Sequence, residues 1–160
     1  MEQDRSDKQK DISSEKTVEQ KLTLTLLGEN PATPEISQNA SVNFQFRNEG
    51  TTPIYILDYF EVNGKPFFIG ITIHDSKGKK ILNYMNLCKV ERQVAQKYIL
   101  LKPAASYRIP FPFAKVISEK FPDGLAKGEY TVTARYENQM GDNCFTGTLV
   151  SEPRKFTVED

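Results

Sequence analysis

The sequence has few of the side chains on which most enzymes depend. His74 is the single histidine among 160 residues. Zinc proteases with a His-Glu-x-x-His helix, serine hydrolases and cysteine hydrolases all need a histidine beside specific partner residues, such as a nucleophile, a carboxylate or a second histidine. His74 lies next to the turn Asp75-Ser76-Lys77-Gly78, and the sequence around it contains none of these motifs. The pattern favours a surface imidazole, and we predict that the protein is not an enzyme.

Signals for bound groups and for membrane insertion are also missing. There is no glycine-rich phosphate loop, and the acidic residues do not have the spacing of a calcium loop, so we predict no cofactor and no metal. No apolar run reaches the length of about 18 residues that a membrane helix needs. The N-terminus has no apolar signal-peptide core. We therefore expect either a cytoplasmic protein or one whose export signal precedes this sequence.

The chain has no excess of charge of either sign. Lys plus Arg and Asp plus Glu both number 21. A neutral chain without a basic face gives no electrostatic reason to bind nucleic acid or acidic lipid. We therefore predict another protein as the partner, and the sequence leaves its identity and the oligomeric state open.

Cysteine is scarce as well, because only Cys88 and Cys144 are present. Two cysteines are too few for a disulfide scaffold and do not have the spacing of metal ligands. Two interpretations stay open: separate thiols in a reducing compartment, or one disulfide that joins the last long loop to the middle of the chain. A disulfide closing such a loop would contribute about 4 kcal/mol and would indicate an exported protein.

Residues 1–20 differ in composition from the rest of the chain. They are rich in charged side chains, and Ile12 and Val18 are nearly the only apolar ones. Such a segment cannot bury enough surface to offset its ordering entropy. We predict a disordered N-terminal tether of the kind that follows the lipid-bearing cysteine of an exported lipoprotein, or simply a disordered tail. In the first case a lipid anchor would be the only link to a membrane.

Period-two alternation dominates the remainder, residues 21–160, and predicts β-strands. Apolar and polar side chains alternate in four stretches in particular: Leu22–Leu26, Val42–Arg47, Ile69–His74 and Tyr130–Tyr136. The run Ile54–Asp58 is continuously apolar at its start, which predicts a strand covered on both faces. About eight short strands with turn signals between them indicate an antiparallel all-β protein.

Tyr130 has a special position in this pattern. It lies just inside a strand, after a turn at Pro122-Asp123-Gly124 and a Leu at position 125. This is the arrangement of the tyrosine corner in immunoglobulin-like sandwiches, where the phenol bonds to nearby backbone. We therefore predict an immunoglobulin-like β-sandwich of about seven to nine strands, with Tyr130 as a structural residue.

Two prolines mark one strand as an edge strand. Pro110 and Pro112 are two residues apart, so both missing N–H groups lie on one edge of the strand that begins at Tyr107. Because these prolines have no N–H to donate, an incoming strand cannot form a continuous hydrogen-bond ladder on this edge. Residues 114–121, which follow, are predicted to form one or two turns of the only helix.

Aromatic side chains surround a predicted tight turn at Asn63-Gly64. They are Phe60, Phe67 and Phe68, and the later loop adds Met140 and Phe145. Together with Asn63, these five side chains would form a binding surface if they were exposed at the ends of a sandwich. The alternative, which we favour, is that most of the rings turn inward and cover the core.

The order of these motifs resembles small immunoglobulin-like domains of exported bacterial proteins. Among these, the chain is similar to the pro-region of deuterolysin-type zinc proteases and to the bacterial intracellular proteinase inhibitor domain. The similarity rests on Leu22–Leu26, Val42–Asn48, Ile71–Lys79, Leu100–Pro103 and Gly128–Ala134.

The resemblance implies a sandwich fold and, by the inhibitor comparison, occlusion of a protease by an exposed loop. From the residues we predict a binding or assembly module at a bacterial envelope, periplasmic or at the cell surface. A protease inhibitor or folding assistant is the alternative.

Overall fold

The computed structural model describes residues 21–33, 35–58, 60–62, 64–87, 97–140 and 143–159. The predicted tether at residues 1–20, Asn63 of the predicted turn and Cys88 of the predicted disulfide lie outside the described residues. No helix among the described residues is long and apolar enough to cross a membrane.

The described part of the chain is all-β with a single helix, as predicted. The helix α1 covers Phe113–Lys120, and its buried residues are Phe113, Val116 and Ile117. The described residues form twelve strands, and the excess over seven to nine comes from short two-stranded ladders. The strands are β1 Leu22–Leu27, β2 Val42–Asn48, β3 Ile54–Leu57, β4 Glu61–Val62, β5 Lys65–Pro66, β6 Ile69–Asp75, β7 Lys80–Met85, β8 Tyr98–Leu101, β9 Ser106–Phe111, β10 Gly128–Asn138, β11 Gly147–Val150 and β12 Arg154–Val158.

All strand pairs are antiparallel. One sheet has the order β1-β2-β9, and a five-stranded sheet has the order β11-β10-β6-β7 with β12 also paired to β10. Two small ladders join β3 to β8 and β4 to β5. The immunoglobulin-like sandwich stays a prediction, and the presence of two larger antiparallel sheets is consistent with it.

The core lies between the two larger sheets because their alternating apolar side chains point toward each other. Strand β2 alternates buried and half-buried residues along its whole length, and β10 buries Tyr130, Val132, Ala134 and Tyr136. The rings of Phe46 in β2 and Tyr136 in β10 meet edge to face with centroids 5.1 Å apart. Aromatic contacts of this geometry add to the stability gained by burial.

The Tyr130 hydroxyl donates a hydrogen bond to the carbonyl oxygen of Ala126, four residues upstream. The ring is 7% exposed and stacks on Phe156 of β12, with centroids 5.5 Å apart. This geometry is that of a tyrosine corner. It joins the turn before β10 to the last strand.

Strand β9 is an edge strand within the described residues, since its only ladder is with β2. The backbone N–H of Asn48 donates to the backbone carbonyl of Ala105. The backbone groups of Ala105 and of every second residue after it therefore face β2. Pro110 and Pro112 therefore direct their nitrogens outward, as the sequence predicts.

Candidate functional site

The candidate site is a groove between the β4–β5 hairpin and the edge strand β9. The hairpin turn is possible because Gly64 adopts a φ of 80°, which a glycine accepts without steric cost. The Glu61 carboxylate closes the turn by accepting a hydrogen bond from the Gly64 amide at 3.1 Å. A further bond from the Phe67 amide to the Phe60 carbonyl, 2.9 Å long, extends the hairpin toward the core.

Apolar side chains from both elements line the groove. Its volume is about 370 Å³. Phe60 and Phe111 form its floor at 5% and 0% exposure, and Ile109 at 8% exposure lies beside them. The complete lining is Ser41, Phe60, Glu61, Gly64, Pro66, Ile109, Pro110, Phe111 and Pro112.

The floor is rigid because it belongs to the core. The Phe60 ring lies 5.7 Å from Phe46 and 5.9 Å from Tyr136, measured between centroids. The Phe111 ring stacks on Phe44 at 5.1 Å. Rings held by several neighbours lose little further freedom when a ligand binds, so the groove is largely pre-formed.

A second cleft of about 200 Å³ continues the groove toward helix α1. The two share Gly64, Pro66 and Pro112. The continuation is more polar, since it is lined by Tyr84, Asn86, Lys115 and Glu119 among others. The two depressions therefore adjoin each other at these three residues, one mostly apolar and the other more polar.

Of the two interpretations of the aromatic cluster, the structure gives the inward one for two residues. Phe60 is 5% exposed and Phe68 is 2% exposed, so both rings turn inward, as the favoured alternative expected. Phe68 adopts a φ of 69°, rare for a bulky residue. Its amide donates to Asn86 and its carbonyl accepts from Glu137, which fixes the ring in the core.

The other predicted binding residues are partly covered. Phe67, Met140 and Phe145 are all half-buried, and Met140 and Phe145 pack against the core. Asn138 holds their loop, because its side-chain amide donates to the carbonyls of Met140 and Phe145 at 3.0 and 3.1 Å. The structure thus places Phe60 in the groove and separates it from the Met140–Phe145 loop by the Tyr136 ring.

Exposed apolar side chains occur where the sequence did not predict them. Tyr55 of β3 and Leu100 of β8 lie opposite each other, 46% and 43% exposed, and Tyr98 is 39% exposed. The prediction that this strand is covered on both faces is therefore wrong for Tyr55. The strand β3 pairs with β8 in a two-stranded ladder, which leaves the outward face of Tyr55 uncovered.

The structure places His74 on the outward face of the five-stranded sheet. It is half-buried and lies opposite Thr131 of β10 and Lys80 of β7. No group of three or more His, Cys, Asp or Glu side chains that could hold a metal occurs among the described residues. The prediction about His74 is thus unchanged.

Cys144 is half-buried at the loop that Asn138 holds, and its thiol lies 3.5 Å from the Met140 carbonyl oxygen. Because Cys88 lies outside the described residues, the disulfide stays a prediction.

The hydroxyl of Tyr136 is the one buried side-chain polar atom without a hydrogen-bond partner among the described residues. Burial raises the pKa of Tyr136 well above its ordinary value of 10.0 and outweighs the opposing effect of the nearby Asn138 side chain. An unpartnered buried hydroxyl costs free energy, and the ionised phenolate would cost more.

Replacing Tyr136 by phenylalanine is therefore expected to leave stability unchanged or raise it by about 1 kcal/mol at neutral pH. The contacts with Phe46 and Phe60 are between rings and survive the change. Because folding raises this pKa, the wild type is stable below pH 10 and loses stability as the pH rises above it. The Tyr136→Phe variant should thus gain most in alkaline solution, measured by denaturant unfolding at several pH values.

Tyr130→Phe is the matched control, since the hydroxyl of Tyr130 has an acceptor in Ala126. It should lose about 1 kcal/mol. Equal losses in both variants would contradict the assignment of the Tyr136 hydroxyl as unpartnered.

Comparisons with known proteins give no family for the chain. No family model and no curated protein matches it. Solved structures that match in part include a β-D-glucoside glucohydrolase from Trichoderma reesei, at 12% identity and a TM-score of 0.39. Another is β-glucosidase 3B from Thermotoga neapolitana in complex with glucose, at 18% identity and a TM-score of 0.31.

These matches cover 88% and 87% of this chain, respectively. The chain spans only 19% and 17% of the length of those two structures. Similarity at this level carries no argument about function.

Proposed function

We propose that this chain is a non-enzymatic binding or assembly module, tethered at a bacterial envelope, and that the groove beside β9 is its binding site. The groove of about 370 Å³ with a fixed aromatic floor is the observation that supports this proposal. Pockets that bind ligands typically have about 300–1,000 Å³, are mostly apolar and contain a few polar groups. The envelope location is supported by the composition of residues 1–20 alone.

The position of the groove also fits a binding role. Its two walls are a hairpin turn and a strand edge on which prolines prevent continuous pairing, so the apolar floor stays uncovered by further sheet. Surface loops held by a rigid scaffold are common places for recognition. Here the scaffold is the packed core beneath Phe60 and Phe111.

Filling the groove tests the proposal. Ser41 lines the groove and is half-buried, and the Ser41→Phe variant would place a ring over the floor without removing a core residue. A displayed library of random peptides selected on the wild type should yield a consensus sequence. The variant should bind the synthetic consensus peptide at least about tenfold more weakly, as expected when an apolar pocket is blocked.

Ser76→Phe is the matched control, because Ser76 is exposed in the turn between β6 and β7. It adds the same ring away from the groove and should bind like the wild type. A consensus that binds both variants as tightly as the wild type would reject the groove as the binding site.

A further inference from the structure

The charge in the apolar part of the groove has one sign. Among the described residues, Glu61 is the only charged one that lines it. In the hairpin register Glu61 lies opposite Pro66, so its side chain projects on the same side as this lining proline. Lys65 lies opposite Val62 and lines the adjoining polar cleft, together with Lys115 and Glu119.

The Glu61 carboxylate has capacity for a ligand. One oxygen accepts the Gly64 amide, and Glu61 forms no ion pair with the described residues. A carboxylate accepts about four hydrogen bonds when all its lone pairs are used. A positive charge at the mouth of the groove would thus find an exposed carboxylate within reach.

The backbone of the opposite wall offers hydrogen-bond acceptors and few donors. The outward-facing groups near the groove belong to Pro110 in β9 and to Pro112, the residue between β9 and α1, and neither has an N–H. The Pro112 carbonyl is already used by the Val116 amide of α1. The Pro110 carbonyl is directed outward and is suited to a single N–H donor rather than a ladder.

The shape of the depression favours a chain over a compact molecule. The apolar groove and the polar cleft share three lining residues, so a ligand that fills the first can continue into the second. A polypeptide has backbone N–H donors for Pro110 and can place side chains in both parts.

We propose that the groove binds an extended polypeptide segment in which a large apolar side chain lies next to a lysine or arginine. This inference rests on the proposed function. The apolar side chain lies against Ile109, Pro110 and the accessible edge of Phe60. The cation pairs with Glu61, and one backbone N–H bonds to the Pro110 carbonyl.

The test uses three blocked pentapeptides of sequence Ala-Leu-Phe-X-Ala, with X as Lys, Gln or Glu. Binding to the isotope-labelled full chain is measured by NMR titration, with the amides of Gly64 and Ile109 as reporters of the groove. We expect the Lys peptide to bind about threefold more tightly than the Gln peptide, which is within the range of a solvent-exposed ion pair. It should bind about tenfold more tightly than the Glu peptide, for which repulsion between two carboxylates replaces attraction.

The Glu61→Gln variant should bind all three peptides within about twofold of each other, while the amide oxygen still accepts from Gly64. Glu129→Gln makes the same charge change at an exposed position on β10 and should keep the wild-type order. Raising the salt concentration should reduce the preference for Lys.

Equal binding of the three peptides at the groove by the wild type would overturn the charge preference and leave the groove as a binding site. A Lys preference that persists in Glu61→Gln would also overturn it. If no peptide shifts the Gly64 and Ile109 amides, both the inference and the proposed binding function fail.

Discussion

Replacing Gly70 by alanine is expected to lower the free energy of unfolding by about 3 kcal/mol or more. Gly70 lies in β6, opposite Met85 of β7 and Arg135 of β10, so ladders hold it on both sides. A Cβ at this position would lie 2.0 Å from the Tyr84 carbonyl oxygen and 3.1 Å from the Met85 Cα. These are backbone atoms of a paired strand, and no side-chain rotation can relieve the contact.

The measurement is denaturant unfolding followed by circular dichroism, and the melting temperature should fall by about 10 °C. Gly78→Ala separates steric overlap from backbone strain. Gly78 has a φ of 84° and open space around the missing Cβ, so this variant should lose only about 1 kcal/mol. A loss at Gly70 no larger than at Gly78 would show that β7 moves away freely and would contradict the close approach.

Local patterns in the sequence predict the strands well, because the side-chain period is a property of the strand itself. The alternation in β2 and β10 matches the burial of every second residue. The proline spacing in β9 also predicts an edge strand, since a missing N–H can face only one side. In each case the physical cause lies within a few residues.

Contacts between distant segments explain what the sequence does not predict. The run that begins at Ile54 is apolar, yet Tyr55 is exposed because β3 pairs only with β8 among the described strands. This partner strand lies more than 40 residues later, so the residues around Tyr55 do not reveal the exposure. The inward turn of Phe68 depends on backbone bonds to Asn86 and Glu137. Neither partner is recognisable from the residues around the Asn-Gly turn.

The candidate site shows the same division. The turn and Phe60 were visible as an aromatic hairpin, and the prolines of β9 as an edge. That the two meet and enclose a groove follows from the packing of Phe60 and Phe111 in one core. The sequence therefore predicts the two walls without their juxtaposition. It favours an inward Phe60 ring without indicating that this ring lies under a groove.

Asn48 illustrates how a residue typical of turns can have a second role. The sequence predicts a strand end at Asn48-Glu49-Gly50, and the bond from the Gly50 amide to the Asn48 side-chain oxygen, 2.9 Å, is this local turn. The side chain is 0% exposed. Its amide nitrogen donates to the carbonyls of Thr52 and Leu101 at 2.8 and 2.9 Å, joining β2 to the β3–β8 ladder.

Asn48→Asp is expected to destabilise the protein by at least about 3 kcal/mol at neutral pH, because a carboxylate would face two buried carbonyl oxygens without a donor. Burial and these oxygens should raise the pKa of the new carboxyl above about 3.9, its unfolded value. The loss relative to wild type is therefore smallest below this pH and grows as the pH rises through the folded value. Paired unfolding curves of both proteins across the acidic range measure it.

Asn43→Asp provides a control with the same hydrogen-bond pattern and less burial. The Asn43 amide nitrogen donates to the carbonyls of Gly28 and Glu29 at 3.0 and 3.1 Å, and the residue is half-buried. Water can solvate a carboxylate there, so the loss should stay near 1 kcal/mol. If the two variants lose the same stability with the same pH dependence, the connection through Asn48 is solvent-accessible, and the β3–β8 ladder must be held by the apolar contacts of Ile54, Ile56 and Leu101 instead.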